Sequence, residues 1–196
     1  MTEQSHFFAY MSRLKLINRW PLMRNTTTEN VQEHSLQVAM LAHALAVISN
    51  EYFSTDIDAN KVTTMAIFHD VSEVLTGDLP NPVKYFNPEI AKEYKKIEQI
   101  AEEKLVSLLP AKLKPTYDEL VCSNKHDAEL YKIVKAADIL SAYLKTIEEL
   151  NAGNKEFINA NKRLKETLDS LNNQAVEYFL EHFVESFSLS LDAITE

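Results

Sequence analysis

A chain of 196 residues with a single cysteine, Cys122, has no partner for an internal disulfide and no cysteine-rich metal cluster, which points to a reducing compartment. Twenty basic residues against 29 acidic ones, a formal charge of −9, argue against a general nucleic-acid surface; they leave room for a small anion neutralised locally by an arginine or a metal. Only two glycines occur, too few for a turn-rich β or Rossmann-like fold, and 45% hydrophobic residues are too many for global disorder.

The first helix is predicted over Ser5–Ile17, with Phe7, Tyr10, Met11 and Leu14 on one face, before an irregular connection over Asn18–Thr28. Asn30 is placed to cap the next helix and Glu33 to complete a capping box, so His34 falls in the first turn. That helix runs to Ile48 and is apolar on nearly every side, the mark of a central element. A third helix starts at Asp58 or Asn60, with Val62, Met65, Ala66 and His69 at core spacing, and its pattern continues through Glu73 to a cap at Gly77. Asp78-Leu79-Pro80-Asn81-Pro82 reads as a stiff loop.

Asn87-Pro88-Glu89 opens a helix that carries Tyr94, Ile97, Ala101, Leu105 and Leu108 to a stop at Pro110. The next long helix spans Asp127–Leu150, with Leu130, Val134, Ala137, Ser141 and Leu144 along one side, and ends at Asn151-Ala152-Gly153-Asn154. A final helical pattern through Phe157, Leu164, Leu168, Leu171, Ala175, Phe179 and Phe183 is expected to break at Leu171-Asn172-Asn173. These apolar faces need one another, so residues 1–196 are expected to form one domain. The start, Met1 to His6, lacks the basic and apolar segments of a secretory signal, and the apolar run Val38–Ile48 is far too short for a membrane span. The expected setting is the cytoplasm, with no membrane and no nucleic-acid polymer as partner.

His34, the doublet His69-Asp70 and Asp138 are the candidates for chemistry. The histidines are 35 positions apart and Asp138 lies 68 beyond Asp70, so one site requires three helices to converge. Two imidazoles and two carboxylates form a mixed nitrogen and oxygen set suited to a divalent transition metal. An inward histidine alone is more often a hydrogen-bonded core group. Asp138 is harder to explain that way, because it sits among Val134, Ala137, Ile139 and Ala142, where a carboxylate needs a cation or several donors. His43, inside the apolar helix, is expected to be a satisfied core histidine, and Cys122 has no neighbour that would activate a thiol. His126 and His182 are distant in sequence from the set.

The order His34, His69-Asp70, Asp138 resembles the skeleton of the HD-domain metal-dependent phosphohydrolases. The likeness extends over nearly the whole chain, through Arg13-Leu14-Lys15-Leu16-Ile17-Asn18-Arg19-Trp20-Pro21-Leu22-Met23-Arg24-Asn25, Glu33-His34-Ser35 and His69 to Pro80, and is similar to the bacterial 5′-deoxynucleotidase branch. It implies an all-α, single compact HD-domain fold, a homodimer, and removal of phosphate from deoxyribonucleoside 5′-monophosphates with broad base tolerance. It also implies one divalent metal per subunit, cobalt favoured, with manganese or another divalent transition metal open.

On that resemblance, His34, His69, Asp70 and Asp138 hold an ion that activates water toward phosphorus. Arg19 orients the phosphate with its two-pronged guanidinium. Trp20 lines the sugar pocket and excludes a 2′-hydroxyl, and Asp78-Leu79-Pro80-Asn81 shape the opposite wall. His34, Asp70 and Asp138 also face the substrate. Glu73, one turn beyond His69, and Asp78 are the candidates for orienting water or moving a proton to the departing 5′-oxygen. Lys84, Lys95 and Lys96 read as solvated charges, with weak attraction near the entrance as the alternative for Lys84. Hydrolysis of nucleoside triphosphates or cyclic nucleotides, and a catalytically silent nucleotide sensor, are compatible with the same metal set, although Glu73 and Asp78 favour turnover. Phe179, Phe183 and Phe187 either close the core or bury against a second subunit.

Overall fold

The computed structural model describes residues 4–84 and 86–195, the Asn81 side chain excepted. Among the described residues every regular element is helical, as expected, apart from an isolated antiparallel bridge between Asn18 and Asn30. The predicted first helix is interrupted. It comprises α1 (Phe7–Met11) and a 3-10 turn at Leu14–Leu16, because the Arg13 and Leu16 amides reach back only three residues, to Tyr10 and Arg13. Phe7 and Leu14 are buried nonetheless.

Helix α2 (Val31–Phe53) starts where expected, with Asn30 Oδ1 accepting the Glu33 amide at 3.0 Å, and continues past Ile48. His43 is a correction: it is exposed, on the same helical face as Leu36, Met40 and Val47, so the apolar run misled. Helix α3 (Ala59–Phe68) is capped by Asp58, whose Oδ1 accepts the Lys61 amide at 2.9 Å. It does not run through to Glu73. The backbone tightens at 69–72, where the Val71 and Glu73 amides bond Phe68 and Asp70, and only then forms α4 (Glu73–Thr76). Gly77 ends α4 at φ 73°, a left-handed conformation that favours glycine.

The expected stiff loop gives way to a helical turn, α5 (Asn81–Lys84). Helix α6 (Pro88–Ser107) has Asn87 as its cap and Pro88 in its first turn. Its buried face is Tyr94, Ala101, Glu102, Leu105 and Val106. Ile97 points outward instead, while Glu98 pairs with Lys84 at 2.8 Å. Helix α7 (Lys114–Val121), beyond the stop at Pro110, was not anticipated; Pro115 occupies its first turn, where a missing amide costs no internal bond. Helix α8 (Ala128–Asn151) gives way to Gly153 at φ 83°. A 3-10 turn at Lys155–Phe157 leads into α9 (Ile158–Ser170). The predicted break follows, with Asn172 at φ 47° and Asn173 capping α10 (Gln174–His182) through the Ala175 and Val176 amides. Leu171 and Phe183 are exposed, whereas Ala175 and Phe179 are buried. The short α11 (Leu191–Thr195) is the last element.

The chain resolves into two compact units. The first comprises Met1–Met23, Thr28–Leu36 and Ile67–Ala128. Its core joins Phe7, Leu14, Val31, Val71, Leu105, Leu109 and Val121, with Phe7 meeting Tyr117 edge-on at 5.1 Å. Cys122 lies in this core, its thiol against Asp118, and burial foremost pushes it up to about 12, so it stays an inert thiol. The second unit comprises Arg24–Thr27, Gln37–Ala66 and Glu129–Glu196. Buried there are Val38, Ala42 and Leu45 of α2, Val134, Leu140 and Leu144 of α8, and Phe179 of α10.

A charged network is also buried in the second unit. Glu149 is 1% exposed and accepts from the Thr26 amide and hydroxyl, the Thr27 amide, Asn154 and Lys145. Lys145 also donates to the Thr27 carbonyl at 2.5 Å. Among the described residues no helix is long and apolar enough to cross a membrane.

Candidate metal centre

Four residues separated in sequence come together. His34 projects from the first turn of α2, His69 and Asp70 from the tightened turn after α3, and Asp138 from α8. One donor atom from each lies within 4.8 Å of all the others. The His34 and His69 side chains are fully buried, their ring centroids 5.4 Å apart. Asp70 Oδ2 stands 3.1 Å from His69 Nε2 and 3.6 Å from His34 Nε2. His69 and Asp70 both sit in the tightened turn after α3, and each brings a donor atom to the set.

Beside this set, the segment before α2 doubles back on itself. The Arg19 amide donates to the Glu29 carbonyl and the Val31 amide to the Ile17 carbonyl, both at 2.9 Å, around the Asn18–Asn30 bridge. Arg19 NH1 consequently stands 3.6 Å from Asp70 Oδ2. Its Nε donates to Glu29 Oε2 at 3.0 Å, and the same oxygen accepts the Trp20 indole N–H at 3.1 Å. Trp20 itself sits at φ 56°. The Trp20 main chain helps to hold the Asp78 carboxyl down, so the far side of Gly77 comes to the same place.

The electrostatics are those of a crowded acidic pocket with cations at its edge. Glu73 is buried, not a surface carboxylate. Desolvation foremost, then Asp70 and Asp78, hold its carboxyl well above the usual range, against the opposing pull of Arg19 and His69. Its Oε2 is buried with no hydrogen-bond partner among the described residues. Asp78 is raised as well, first by burial, with Arg19 pulling the other way. The donor set that a divalent cation fits is the mixed nitrogen and oxygen group of His34, His69, Asp70 and Asp138, with Glu73 and Asp78 adding negative potential beside it.

Some predicted site residues are joined to this geometry less directly. Leu79 and Pro80 follow Asp78 and are partly buried; the Pro80 carbonyl accepts the Val83 amide and starts α5. Asn81 opens that turn, and its side chain lies outside the described set. His126 instead bonds the Leu120 carbonyl, and His182 the Tyr178 carbonyl.

Two neighbours escaped the sequence reading. Lys135 places Nζ 3.2 Å from Asp138 Oδ2, a contact that the three-residue helical spacing could have suggested. Glu29 had no such signal, since it lies in an irregular segment ten positions from Arg19.

The family described as 5′-deoxynucleotidase YfbR-like matches residues 6–187. A 5′-deoxynucleotidase of Erwinia tasmaniensis is 58% identical over 192 residues, covering 98% of this chain and 97% of the relative. The 5′-deoxynucleotidase YfbR of Escherichia coli O127:H6 is 57% identical over 194 residues, covering 99% and 98%. Among solved structures, an HD-domain phosphohydrolase from Listeria innocua superposes with a TM-score of 0.81 at 23% identity, covering 97% of this chain and 92% of that one; this likeness is one of fold.

Proposed function

The chain belongs to the YfbR-like 5′-deoxynucleotidase family and is a metal-dependent hydrolase of the HD-domain type, and from that premise we propose that it cleaves 2′-deoxyribonucleoside 5′-monophosphates to deoxyribonucleoside and phosphate. The observation that carries this reading is the convergence of His34, His69, Asp70 and Asp138 beside Arg19, in a chain matching 5′-deoxynucleotidases from end to end.

His34, His69, Asp70 and Asp138 would hold one divalent ion, cobalt or manganese among the candidates, which would supply Lewis acidity toward water and the phosphoryl group. Arg19 binds phosphate oxygens through guanidinium nitrogens on the Asp70 side and offsets charge as the phosphorus is attacked. Water adds its oxygen to phosphorus and gives up one proton to solvent, the bond from phosphorus to the 5′-oxygen breaks, and the departing oxygen takes a proton that solvent then restores to its donor. Glu73, buried one turn beyond His69, is our candidate for giving it. Trp20 walls the deoxyribose, and Asp78, Leu79, Pro80 and Asn81 form the opposite side. A 2′-hydroxyl would meet the indole face unpaired, whereas nothing in these residues singles out one base.

The proposal includes a working unit that is the whole chain, 1–196, as one HD-type domain, a homodimer in which each subunit carries one ion, and a cytoplasmic setting. The test uses metal-stripped protein given cobalt, manganese, magnesium or zinc, with matched 5′-deoxy, 5′-ribo and 3′-deoxy monophosphates. We expect activity only with metal. The 5′-deoxy substrates should be preferred over 5′-ribo by about 1–3 kcal/mol in the barrier, and 3′-phosphates should be poor. Equal efficiencies for the 5′ pairs would defeat the sugar assignment, and metal-independent release would defeat the mechanism.

A further inference from the structure

We propose that Glu29 is a positioning residue that sets the phosphate anchor and the sugar wall as one unit, a role that rests on the reading of Arg19 and Trp20 above. One oxygen, Glu29 Oε2, accepts both Arg19 Nε–H at 3.0 Å and the Trp20 indole N–H at 3.1 Å. The Arg19 and Glu29 side chains are 12% and 11% exposed, so this is no solvated surface pair. The backbone fixes the register: the Asn18–Asn30 bridge and the bond from the Arg19 amide to the Glu29 carbonyl place residue 29 across from residues 19 and 20.

Two consequences follow from chemistry. Glu29 occupies the Nε edge of the guanidinium and thereby turns its NH1 toward Asp70, where phosphate would be met. The indole is held at its N–H by Glu29, which fixes the ring of a residue whose backbone sits at φ 56°. Phosphate orientation and sugar discrimination therefore depend on a carboxylate that touches neither phosphate nor sugar.

Trp20 is the only tryptophan in the chain, so intrinsic fluorescence reads this position alone. Glu29→Ala and Glu29→Gln are compared with wild type for metal content, tryptophan emission with acrylamide quenching, and kinetics on matched 5′-deoxy and 5′-ribo monophosphates. Glu29→Ala should keep its metal, show a shifted and more readily quenched emission, and lower the deoxy-to-ribo ratio roughly tenfold as the indole loses its acceptor. Glu29→Gln keeps an acceptor oxygen but no charge for Arg19. It should hold the emission and the ratio near wild type while kcat falls roughly tenfold. This split distinguishes positioning from general destabilisation, which would move every readout together.

Unchanged emission, quenching and ratio in Glu29→Ala would overturn the proposal. Should that variant fail to fold, Glu29→Gln decides: unchanged kcat rejects the role. If wild type shows no sugar preference, the functional reading fails by itself, and tryptophan emission with inhibition by inorganic phosphate still tests whether Glu29 sets the pair.

Discussion

Glu73 and Glu149 are both carboxylates shut away from water, one in each compact unit, and their surroundings treat them in opposite ways. Burial works to raise Glu149, but hydrogen bonds from Lys145, Asn154 and Thr26 overcome it and hold the group at about 2. Its neighbours are donors, and its charge is answered within the chain. Around Glu73, Asp70 and Asp78 add to the cost of burial, Arg19 and His69 offset only part of it, and its Oε2 has no hydrogen-bond partner among the described residues. A satisfied network fixes a loop; an under-compensated acidic pocket is stable enough to fold yet biased toward capturing a cation.

The contrast breaks most visibly at the metal set. Asp138→Ala removes a ligand and should cost about 5 kcal/mol of transition-state stabilisation, nearly four decades in rate, together with most bound metal. Denaturation midpoints should change far less. Metal analysis and turnover on the folded variant provide the check, and near-normal values for both would dissolve the distinction drawn here.

Glu149→Ala should behave the other way round. It leaves Lys145 buried without its carboxylate and should cost about 3–5 kcal/mol of stability, read by urea unfolding near neutral pH. Metal bound per folded molecule should stay unchanged. A loss under about 1 kcal/mol would mean that the network is no more than a surface pair.

The smallest effect is a pH limb. The native Glu149 carboxyl is depressed to about 2 from an ordinary 4.5, so its contribution is fully present above the unfolded value and fades as pH falls from about 4.5 toward 2. The stability difference between wild type and Glu149→Gln should be flat above that window and shrink within it. A difference that grew on acidification would have the wrong sign.

How much of this was readable beforehand varies with the physics involved. The convergent set was legible because His34, His69, Asp70 and Asp138 are costly residues at apolar-facing positions, and one ion would answer all four. Caps at Asn30 and Asn87 were legible because capping is local chemistry, and the break at Leu171-Asn172-Asn173 because paired asparagines favour a turn. The tightening at 69–72 was not, since its side-chain periodicity continues through the turn while only the amide pattern changes. His43 and Ile97 went wrong for a related reason: apolar spacing marks a face without saying which faces water. Glu29 and the Thr26–Glu149 bonds are contacts of the folded chain, across 10 and 123 positions, with no repeating pattern to announce them.

The left-handed backbone of Trp20 limits how this sequence can change by single steps. A bulky residue at φ 56° carries about 1–3 kcal/mol of strain that glycine or asparagine would largely relieve. Replacing it in stages, through phenylalanine or leucine, keeps that strain at every stage while shedding ring area and the indole donor to Glu29. A jump to glycine removes the strain and, with it, the sugar wall we propose. Intermediate side chains thus lie in a valley between two workable solutions, and a gradual drift from deoxyribose toward ribose would have to begin in the backbone, with the turn that carries Trp20 refolding before its side chain could shrink.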